Sequence, residues 1–294
     1  MKIAFIGLGR MGGPIAGHLA AAGHNVTVVE PNLDTLSRWC QNHEGTSAPS
    51  AGAAASDAEV VITSLPADAQ LQAVAEGILD NLPSSGVWVD HTTASVQISR
   101  TLARDASTRD LGFIDAPVSG GVDGATRGTL AIMAGGTTTD IDRVRPLLEC
   151  YAKRISHMGD AGTGQLTKMT NQICVVGIGQ ALAEGLDFAE TAGLDLEKVV
   201  GVMLSGASAS WQMENRWQAM ANSDYEFGFA TELMRKDIGL CLAEARRSGV
   251  GLPVTALVDQ FLSDVEALGG KRWDWCSLME RQRGARRGES NTGD

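Results

Sequence analysis

The chain has 294 residues, 44% of them hydrophobic and 20% charged, so it is long enough for about two domains and too apolar to be disordered. Its 24 Lys and Arg against 35 Asp and Glu give a net charge of −11, which argues against a nucleic-acid or anionic-membrane partner. There is no apolar run of the ~18 residues that span a bilayer and no signal-peptide pattern at the start. The five scattered cysteines fit free thiols in a reducing compartment. We therefore expect a cytoplasmic protein.

Short β-branched runs alternate with Ala-rich helical stretches in the first half of the chain. Predicted strands cover residues 2–6, 26–30, 60–65, 87–90, 112–115 and 130–134, and the first predicted helix covers 14–22. Strands that alternate with helices imply βαβ units and a parallel sheet. Right-handed crossovers then give a Rossmann-type, doubly wound α/β domain.

The pattern changes near residue 160, after which strand signals are few. Residues 165–192 carry apolar side chains at helical spacing and predict one long helix. Glycines inside it, such as Gly179, are tolerable if another helix packs closely there. The sequence from 196 to 279 looks all-helical, and 281–294 is so polar that we expect a frayed tail. These features predict a dinucleotide-binding domain at 1–163 and a helical domain at 164–294, joined by the long helix.

The segment Gly7-Leu8-Gly9-Arg10-Met11-Gly12 has the pattern G-x-G-x-x-G directly between a predicted strand and a predicted helix. The first glycine permits a tight turn, the second lets the backbone approach a pyrophosphate, and the third lets helix and strand pack closely. The helix N-terminus then presents N–H groups and a positive dipole to the phosphates. All six residues are therefore predicted to bind a dinucleotide.

Glu30 ends the second predicted strand, 18 residues after Gly12. A carboxylate there can accept hydrogen bonds from the adenosine ribose hydroxyls and would repel a 2′-phosphate. We therefore predict NAD as the cofactor. Arg10, in the phosphate loop, can reach an added phosphate, so NADP remains possible.

Further segments resemble the β-hydroxyacid dehydrogenase family, which includes 3-hydroxyisobutyrate dehydrogenase and tartronate semialdehyde reductases. The matching segments are GLGRMGGP (7–14), Leu65-Pro66, DHTT (90–93), DAPVSGG (115–121), GDAGTGQLTKMTNQ (159–172) and Lys236-Asp237. They follow the order of the family and span most of the chain. The resemblance implies a Rossmann domain, a long linking helix and a helical domain.

Lys168 matches the catalytic lysine of the family. Oxidation of an alcohol by hydride transfer requires removal of the hydroxyl proton, and a lysine can accept it when desolvation or a nearby positive charge lowers its pKa. From the residues alone, a surface lysine on an amphipathic helix is the commoner case. Asn171 lies on the same helix face and can hydrogen-bond the reacting oxygen or the substrate carboxylate. The role of Gln172, where some relatives carry a second Asn, stays open.

Ser119, Gly120 and Gly121 resemble the site for the substrate carboxylate, because two glycines expose backbone N–H groups and the serine adds a hydroxyl donor. Asp123 follows and would repel a second negative charge, which favours a monocarboxylate. The resemblance places Thr93 beside the nicotinamide ribose and the substrate. It also implies cofactor contacts for Leu65, Pro66 and Gln70.

The resemblance implies that Lys236 reaches the cofactor, that Asp237 fixes the catalytic arrangement by hydrogen bonding and that Phe229 lines the active site. Trp211 and Trp217 can shape the substrate pocket or a subunit interface, and the sequence does not choose between them. His91, within DHTT, is an alternative acid or base, although a lone histidine after a strand is more often structural.

These features predict an NAD-dependent enzyme that oxidises a small, carboxylate-bearing 3-hydroxy acid such as 3-hydroxyisobutyrate. One alternative is an NAD(P)H-dependent reductase of a short semialdehyde such as tartronate, glyoxylate or succinic semialdehyde. Another is a non-catalytic dinucleotide-binding protein, but such relatives tend to lose the lysine that Lys168 matches, as does the imine-reducing branch. The resemblance further implies a homodimer or homotetramer and no metal.

Overall fold

The computed structural model describes residues 1–290, with side chains as far as Gly284. Its contacts divide the chain into a first unit, Met1–Lys168, and a second unit that begins at Met169. The division lies inside the long helix, a few residues beyond the boundary expected from the sequence. The first turn of this helix is hydrogen-bonded to the rest of the first unit.

The first unit, whose residues are all described, contains a nine-stranded sheet. Its strands are β1 Lys2–Ile6, β2 Asn25–Val29, β3 Thr46–Ser47, β4 Val60–Thr63, β5 Val87–Asp90, β6 Gly112–Asp115, β7 Val118–Ser119, β8 Leu130–Gly135 and β9 Ala152–Gly159. The order is β3-β2-β1-β4-β5-β6-β8-β7, with β9 beside β8. The six neighbouring strands β3-β2-β1-β4-β5-β6 are parallel, while β8 runs antiparallel to β6 and β7. The predicted α/β class is confirmed.

Helices cover both faces of this sheet. They are α1 Gly12–Ala21, α2 Leu33–Asn42, α3 Ala51–Ala55, α4 Asp68–Asn81, α5 Val96–Ser107, α6 Gly121–Arg127 and α7 Thr138–Leu148. Along β1, Ile3 and Phe5 belong to one apolar cluster, while Ala4 and Ile6 belong to another. Successive residues of a strand point to opposite faces, so a strand with two apolar faces is buried on both sides.

The second unit is helical in its described part. Its elements are the long helix α8 Thr163–Thr191, which begins in the first unit, α9 Leu196–Met203, α10 Trp211–Asn222, α11 Thr231–Ser248, α12 Pro253–Ala267, two short 3-10 helices at Gly270–Arg272 and Trp275–Ser277, and α13 Leu278–Ser290. A Cβ at Gly179 would lie 2.1 Å from the Trp275 ring, so close packing requires this glycine. At Gly177 and Gly185 a Cβ would meet nothing within 4 Å. No helix in residues 1–290 is long and apolar enough to cross a membrane.

The polar C-terminal segment differs from the frayed tail that its composition suggests. Residues 281–290 continue α13, and residues 291–294 lie outside the described part of the chain. The Arg283 side chain is buried, with its guanidinium 2.8 Å from a Glu190 carboxylate oxygen and 3.1 Å from one of Glu280. It also donates to the backbone oxygens of Met220 and Ala221. The polar part of α13 is therefore held by a buried arginine and its partly buried carboxylate partners.

Candidate active site

The glycine-rich loop between β1 and α1 is closely packed at two of its glycines and open at the third. Gly7 has φ +97°, and a Cβ there would lie 2.4 Å from the Ser64 carbonyl oxygen. A Cβ at Gly12 would lie 1.9 Å from the Gly7 oxygen, whereas at Gly9 it would meet nothing within 4 Å. Two of the glycines are thus required by the protein itself, and the third leaves open backbone for a pyrophosphate to approach.

The Glu30 carboxylate is hydrogen-bonded to the same loop. It accepts from the backbone N–H of Leu8 at 2.8 Å and from that of Asn32 at 3.0 Å. Each carboxylate oxygen has a further lone pair that can accept from a ribose hydroxyl. Arg10 is exposed and, together with Arg38, lines a surface cavity of about 730 Å³ beside the loop. The two groups expected to distinguish NAD from NADP therefore both lie at this loop.

The loops after β4 and β5 are joined through Asp90, at the C-terminal end of β5. Its Oδ1 accepts from the Thr63 hydroxyl at 2.7 Å and from the Thr92 backbone N–H at 3.1 Å. The Thr92 hydroxyl accepts from the Leu65 N–H at 3.1 Å. Burial raises the pKa of Asp90 from its usual 3.8 to about 6, and Oδ2 has no hydrogen-bond partner among the described residues. This buried carboxylate holds the loop that carries Thr93.

Asp115, at the C-terminal end of β6, holds the start of α8. Its carboxylate accepts from the backbone N–H groups of Gly162 at 2.7 Å and Gln165 at 2.9 Å. The Gln165 side chain donates to the Thr92 carbonyl oxygen at 2.8 Å and accepts from the Ala94 N–H at 3.1 Å. Burial, with a smaller contribution from the negative charge of Asp90, its register partner on β5, raises the pKa of Asp115 from its usual 3.8 to about 7. The first turn of α8 is thereby hydrogen-bonded to the C-terminal end of β6 and to the loop that follows β5.

Lys168 follows Gln165 by about one turn of α8 and is buried, with 8% of its surface exposed. Ser119 ends the short strand β7, and Gly120 and Gly121 follow with φ of +130° and +63°. Glycine adopts these positive φ values without strain. Thr93 is half-buried.

The remaining predicted cofactor residues of the first unit follow β4. Leu65 is half-buried against the apolar cluster of Ala4 and Ile6, and Pro66 is exposed. Gln70 is exposed in the first turn of α4.

In the second unit, the predicted residues of α8 and α11 form one polar chain. Lys236 Nζ lies 3.0 Å from Asp237 Oδ1. Asp237 Oδ2 accepts from Gln172 Nε2 at 2.7 Å, and Gln172 Oε1 accepts from Asn171 Nδ2 at 2.9 Å. Gln172 therefore links three predicted site residues, Asn171 and the pair of Asp237 and Lys236.

Phe229 precedes α11 and is half-buried against the apolar core of the second unit. Its N–H donates to Asp274 Oδ2 at 2.8 Å, and its carbonyl accepts from the Trp275 N–H at 3.0 Å. Trp217 packs against that same core, whereas Trp211 is about half exposed under the guanidinium of Arg216.

Comparison with known proteins gives the family. Residues 2–159 match the family profile described as NAD binding domain of 6-phosphogluconate dehydrogenase. Residues 162–281 match the profile described as NAD-binding of NADP-dependent 3-hydroxyisobutyrate dehydrogenase. The chain is 36% identical over 299 residues to 3-hydroxyisobutyrate dehydrogenase of Pseudomonas aeruginosa, which covers 96% of this chain and 98% of that protein. The chain belongs to the β-hydroxyacid dehydrogenase family.

Two further comparisons support this membership. An uncharacterized oxidoreductase of Shewanella frigidimarina is 47% identical over 283 residues, covering 95% of this chain and 97% of that protein. The solved structure of Mycobacterium tuberculosis 3-hydroxyisobutyrate dehydrogenase with L-serine has a TM-score of 0.87 and 31% identity, covering 96% of this chain and 98% of that one. The resemblance drawn from the motifs is confirmed. The protein is an NAD(P)-dependent hydroxyacid dehydrogenase.

His91 does not have the geometry of an acid or base in this dehydrogenase. Its Nδ1 lies 2.6 Å from the Ala116 carbonyl oxygen, and its Nε2 lies 2.8 Å from the Tyr151 hydroxyl. A carbonyl only accepts, so Nδ1 carries the hydrogen and Nε2 accepts from the tyrosine. Burial lowers the pKa of His91 to about 4, so the ring stays neutral. The structural interpretation accounts for both nitrogens.

Sequence reasoning missed the roles of Asp90, Asp115 and Gln165, although all three lie inside quoted motifs. The available signal was an acidic residue at the end of each of two predicted neighbouring strands. Because the carboxyl ends of parallel strands lie at one edge of a sheet, this signal was sufficient to predict that the two carboxylates are adjacent. Among the described residues no group of three or more His, Cys, Asp or Glu side chains could hold a metal ion.

Proposed function

We propose that this dehydrogenase oxidises a small 3-hydroxy acid with one carboxylate, with Lys168 as general base and NAD as the preferred cofactor. The observation that carries the proposal is the placement of Lys168. It is a buried lysine, one turn beyond a helix start that Asp115 and Gln165 fasten to the motif loops. A lysine on a solvated face of the same helix would not be buried.

We assign the proton exchange to Lys168, because a lysine amine that is shielded from water can act as a general acid or base. When bound, the nicotinamide accepts the hydride from the alcohol carbon, or returns it to a carbonyl. Lys168 takes the hydroxyl proton as the carbonyl forms and supplies it in the reverse direction. The same residues thus support reduction of a short semialdehyde. The ratio of kcat/KM in the two directions, for each substrate pair, identifies the favoured one.

The substrate end of the proposal uses Ser119, Gly120 and Gly121. A serine hydroxyl and backbone N–H groups freed by positive φ are donors suited to a single carboxylate. Asp123 is exposed in the first turn of α6 and disfavours a second anionic group there. 3-Hydroxyisobutyrate, the substrate named for the Pseudomonas relative, and L-serine, present with the Mycobacterium structure, both carry a β-hydroxyl and one carboxylate. They are the first compounds to assay.

The test follows formation of reduced nicotinamide from each hydroxy acid with NAD and with NADP. We expect Lys168→Ala to lower kcat by about 10²–10⁴-fold, the usual contribution of a general acid or base. Nucleotide affinity, measured by quenching of protein fluorescence, is expected to stay within about twofold because the glycine loop is untouched. Lys153→Ala, at an exposed lysine of β9, is the matched control and is expected to match the unmodified protein.

Near-normal turnover in Lys168→Ala would refute the proposed base. Absence of turnover on the whole panel, with nucleotide still bound, would instead favour a non-catalytic nucleotide-binding protein. A higher kcat/KM with NADP than with NAD would refute the predicted role of Glu30 and point to Arg10. The expected homodimer or homotetramer is checked separately by light scattering.

A further inference from the structure

Within the polar chain, the two hydrogen bonds that join Asn171, Gln172 and Asp237 have a fixed direction, and Lys236 is joined to Asp237 as an ion pair. Gln172 and Asp237 are 4% and 2% exposed, so water does not replace their contacts. A carboxylate only accepts, which requires the Gln172 amide to direct its nitrogen at Asp237. A second contact of that nitrogen, 3.8 Å to the Met234 sulfur, agrees with this orientation.

The direction of the Gln172 amide determines that of its neighbour. With Nε2 facing Asp237, Oε1 faces the other way and can only accept. Asn171 must therefore direct its nitrogen at Gln172, as observed at 2.9 Å. The Asn171 carbonyl oxygen is left outside the chain as an acceptor. The negative charge of Asp237 thus sets the orientation of an amide two hydrogen bonds away.

We propose that Gln172 is a positioning residue of the dehydrogenase, which holds Asn171 so that its Oδ1 faces an N–H or O–H donor of the reaction. The donors available under the proposed function, on which this inference rests, are the Lys168 amine and the substrate hydroxyl. A carboxylate offers only acceptors and would be repelled by that oxygen. We assign the Asn171 Oδ1 to the reacting end of the substrate. The second hydrogen of Asn171 Nδ2 is still a donor, so a substrate analogue without the hydroxyl is needed to separate this role from carboxylate binding.

The first test is Gln172→Met, which keeps the length of the side chain and removes both hydrogen bonds. We expect kcat to fall by roughly 10- to 100-fold, the effect of a misplaced group in an active site. The Ki of a substrate analogue with hydrogen in place of the hydroxyl, such as isobutyrate for 3-hydroxyisobutyrate, is expected to stay within about twofold, because Asn171 does not bind the carboxylate. A kcat within twofold of the unmodified enzyme, or a Ki that rises with the loss of kcat, overturns the proposal.

The second test, Gln172→Glu, examines the direction of the chain. While protonated, the introduced carboxyl group donates to Asp237 and accepts from Asn171, as glutamine does. Once ionised, it cannot donate and is repelled by Asp237. The charged groups on this chain are Asp237 and Lys236, both on α11. We expect kcat relative to the unmodified enzyme to fall by about tenfold per pH unit above the pKa of the introduced carboxyl group. A ratio that does not change with pH refutes the assigned direction.

The matched control is Gln180→Glu, another buried glutamine of α8 that donates to a carboxylate, that of Glu184 at 2.8 Å. It is expected to show no such pH dependence of relative kcat. Thermal unfolding of each variant over the same pH range shows that the protein compared is folded. The two proposals fail separately. An active Lys168→Ala variant refutes the proposed function. An inactive Lys168→Ala variant together with a fully active Gln172→Met variant refutes only the role of Gln172.

Discussion

Substitution of Asp90 by Asn should change the stability of the protein more favourably above neutral pH than in acid. Asp90 is completely buried, and only its Oδ1 is hydrogen-bonded, to Thr63 and Thr92. An Asn side chain keeps that oxygen and both bonds. Its amide nitrogen takes the place of Oδ2, for which no partner occurs within residues 1–290. The substitution therefore removes a buried charge and retains the contacts.

The magnitude follows from the pKa of Asp90. Its value of about 6 in the folded protein exceeds the usual 3.8, so the folded state keeps a proton that the unfolded state has lost. A group of this kind contributes its stability below pH 4 and loses it as the pH rises through about 6. A difference of about two pKa units, at roughly 1.4 kcal/mol each, corresponds to about 3 kcal/mol. Removal of the Asp90 charge also lowers the pKa of Asp115. Asp115 then costs the folded protein less stability as the pH rises, which adds to the effect expected from Asp90 itself.

Urea unfolding followed by circular dichroism at about pH 4 and about pH 8 measures this effect. The quantity of interest is the free energy of unfolding of Asp90→Asn minus that of the unmodified protein. We expect this difference to be about 3 kcal/mol more favourable at the higher pH. Asp80→Asn, at a half-exposed carboxylate, is the control and should show almost no dependence on pH. An equal difference at both pH values would contradict the buried-charge argument.

Two further predictions concern the glycine loop and the C-terminal helix. Gly12→Ala places a Cβ 1.9 Å from the Gly7 oxygen, so we expect a loss of about 1–3 kcal/mol in stability together with weaker nucleotide binding. Gly9→Ala, where a Cβ meets nothing, should weaken nucleotide binding alone, and equal melting temperatures for the two variants would contradict the geometry. Arg283→Met should lower the free energy of unfolding by about 2–3 kcal/mol, since buried acceptors lose a charged donor. Arg281→Met, on the same helix and more exposed, should cost at most about 1 kcal/mol in urea unfolding, and equal effects would mean that Arg283 is not packed.

The elements that the sequence predicts well are those with apolar runs. β1, β5 and β6 were predicted at their observed bounds because each is a short buried run between turn residues. β9, with the sequence AKRISHMG, was missed because its side chains are mostly exposed or half-buried and three are basic or His. The polar residues 281–290 were taken for a tail because composition cannot show that Arg283 finds carboxylates on α8 and α13.

The candidate site was predicted where one segment carries its own chemistry. The glycine loop and Glu30 follow from a local pattern, and Lys168 and Asn171 follow from the family resemblance. The support of that site depends on distant contacts instead. Asp115 bonds backbone groups 47 and 50 residues later in the chain. Such pairing appears only once the strands have placed β6 beside the start of α8, which no local pattern encodes.

Because α8 is continuous, substitutions elsewhere can alter the surroundings of Lys168 and of Asn171 separately, although both residues lie on one helix. The contacts that place Lys168 come from the first unit, through Asp115 and Gln165, and those that place Asn171 come from the second, through Gln172 and Asp237. One backbone turn joins the two sets. Each side chain can therefore be tuned by remote substitutions in its own unit, while the spacing between amine and amide is inherited from helix geometry alone. A residue inserted between positions 168 and 171 would turn the two side chains relative to one another by about 100° around the helix axis.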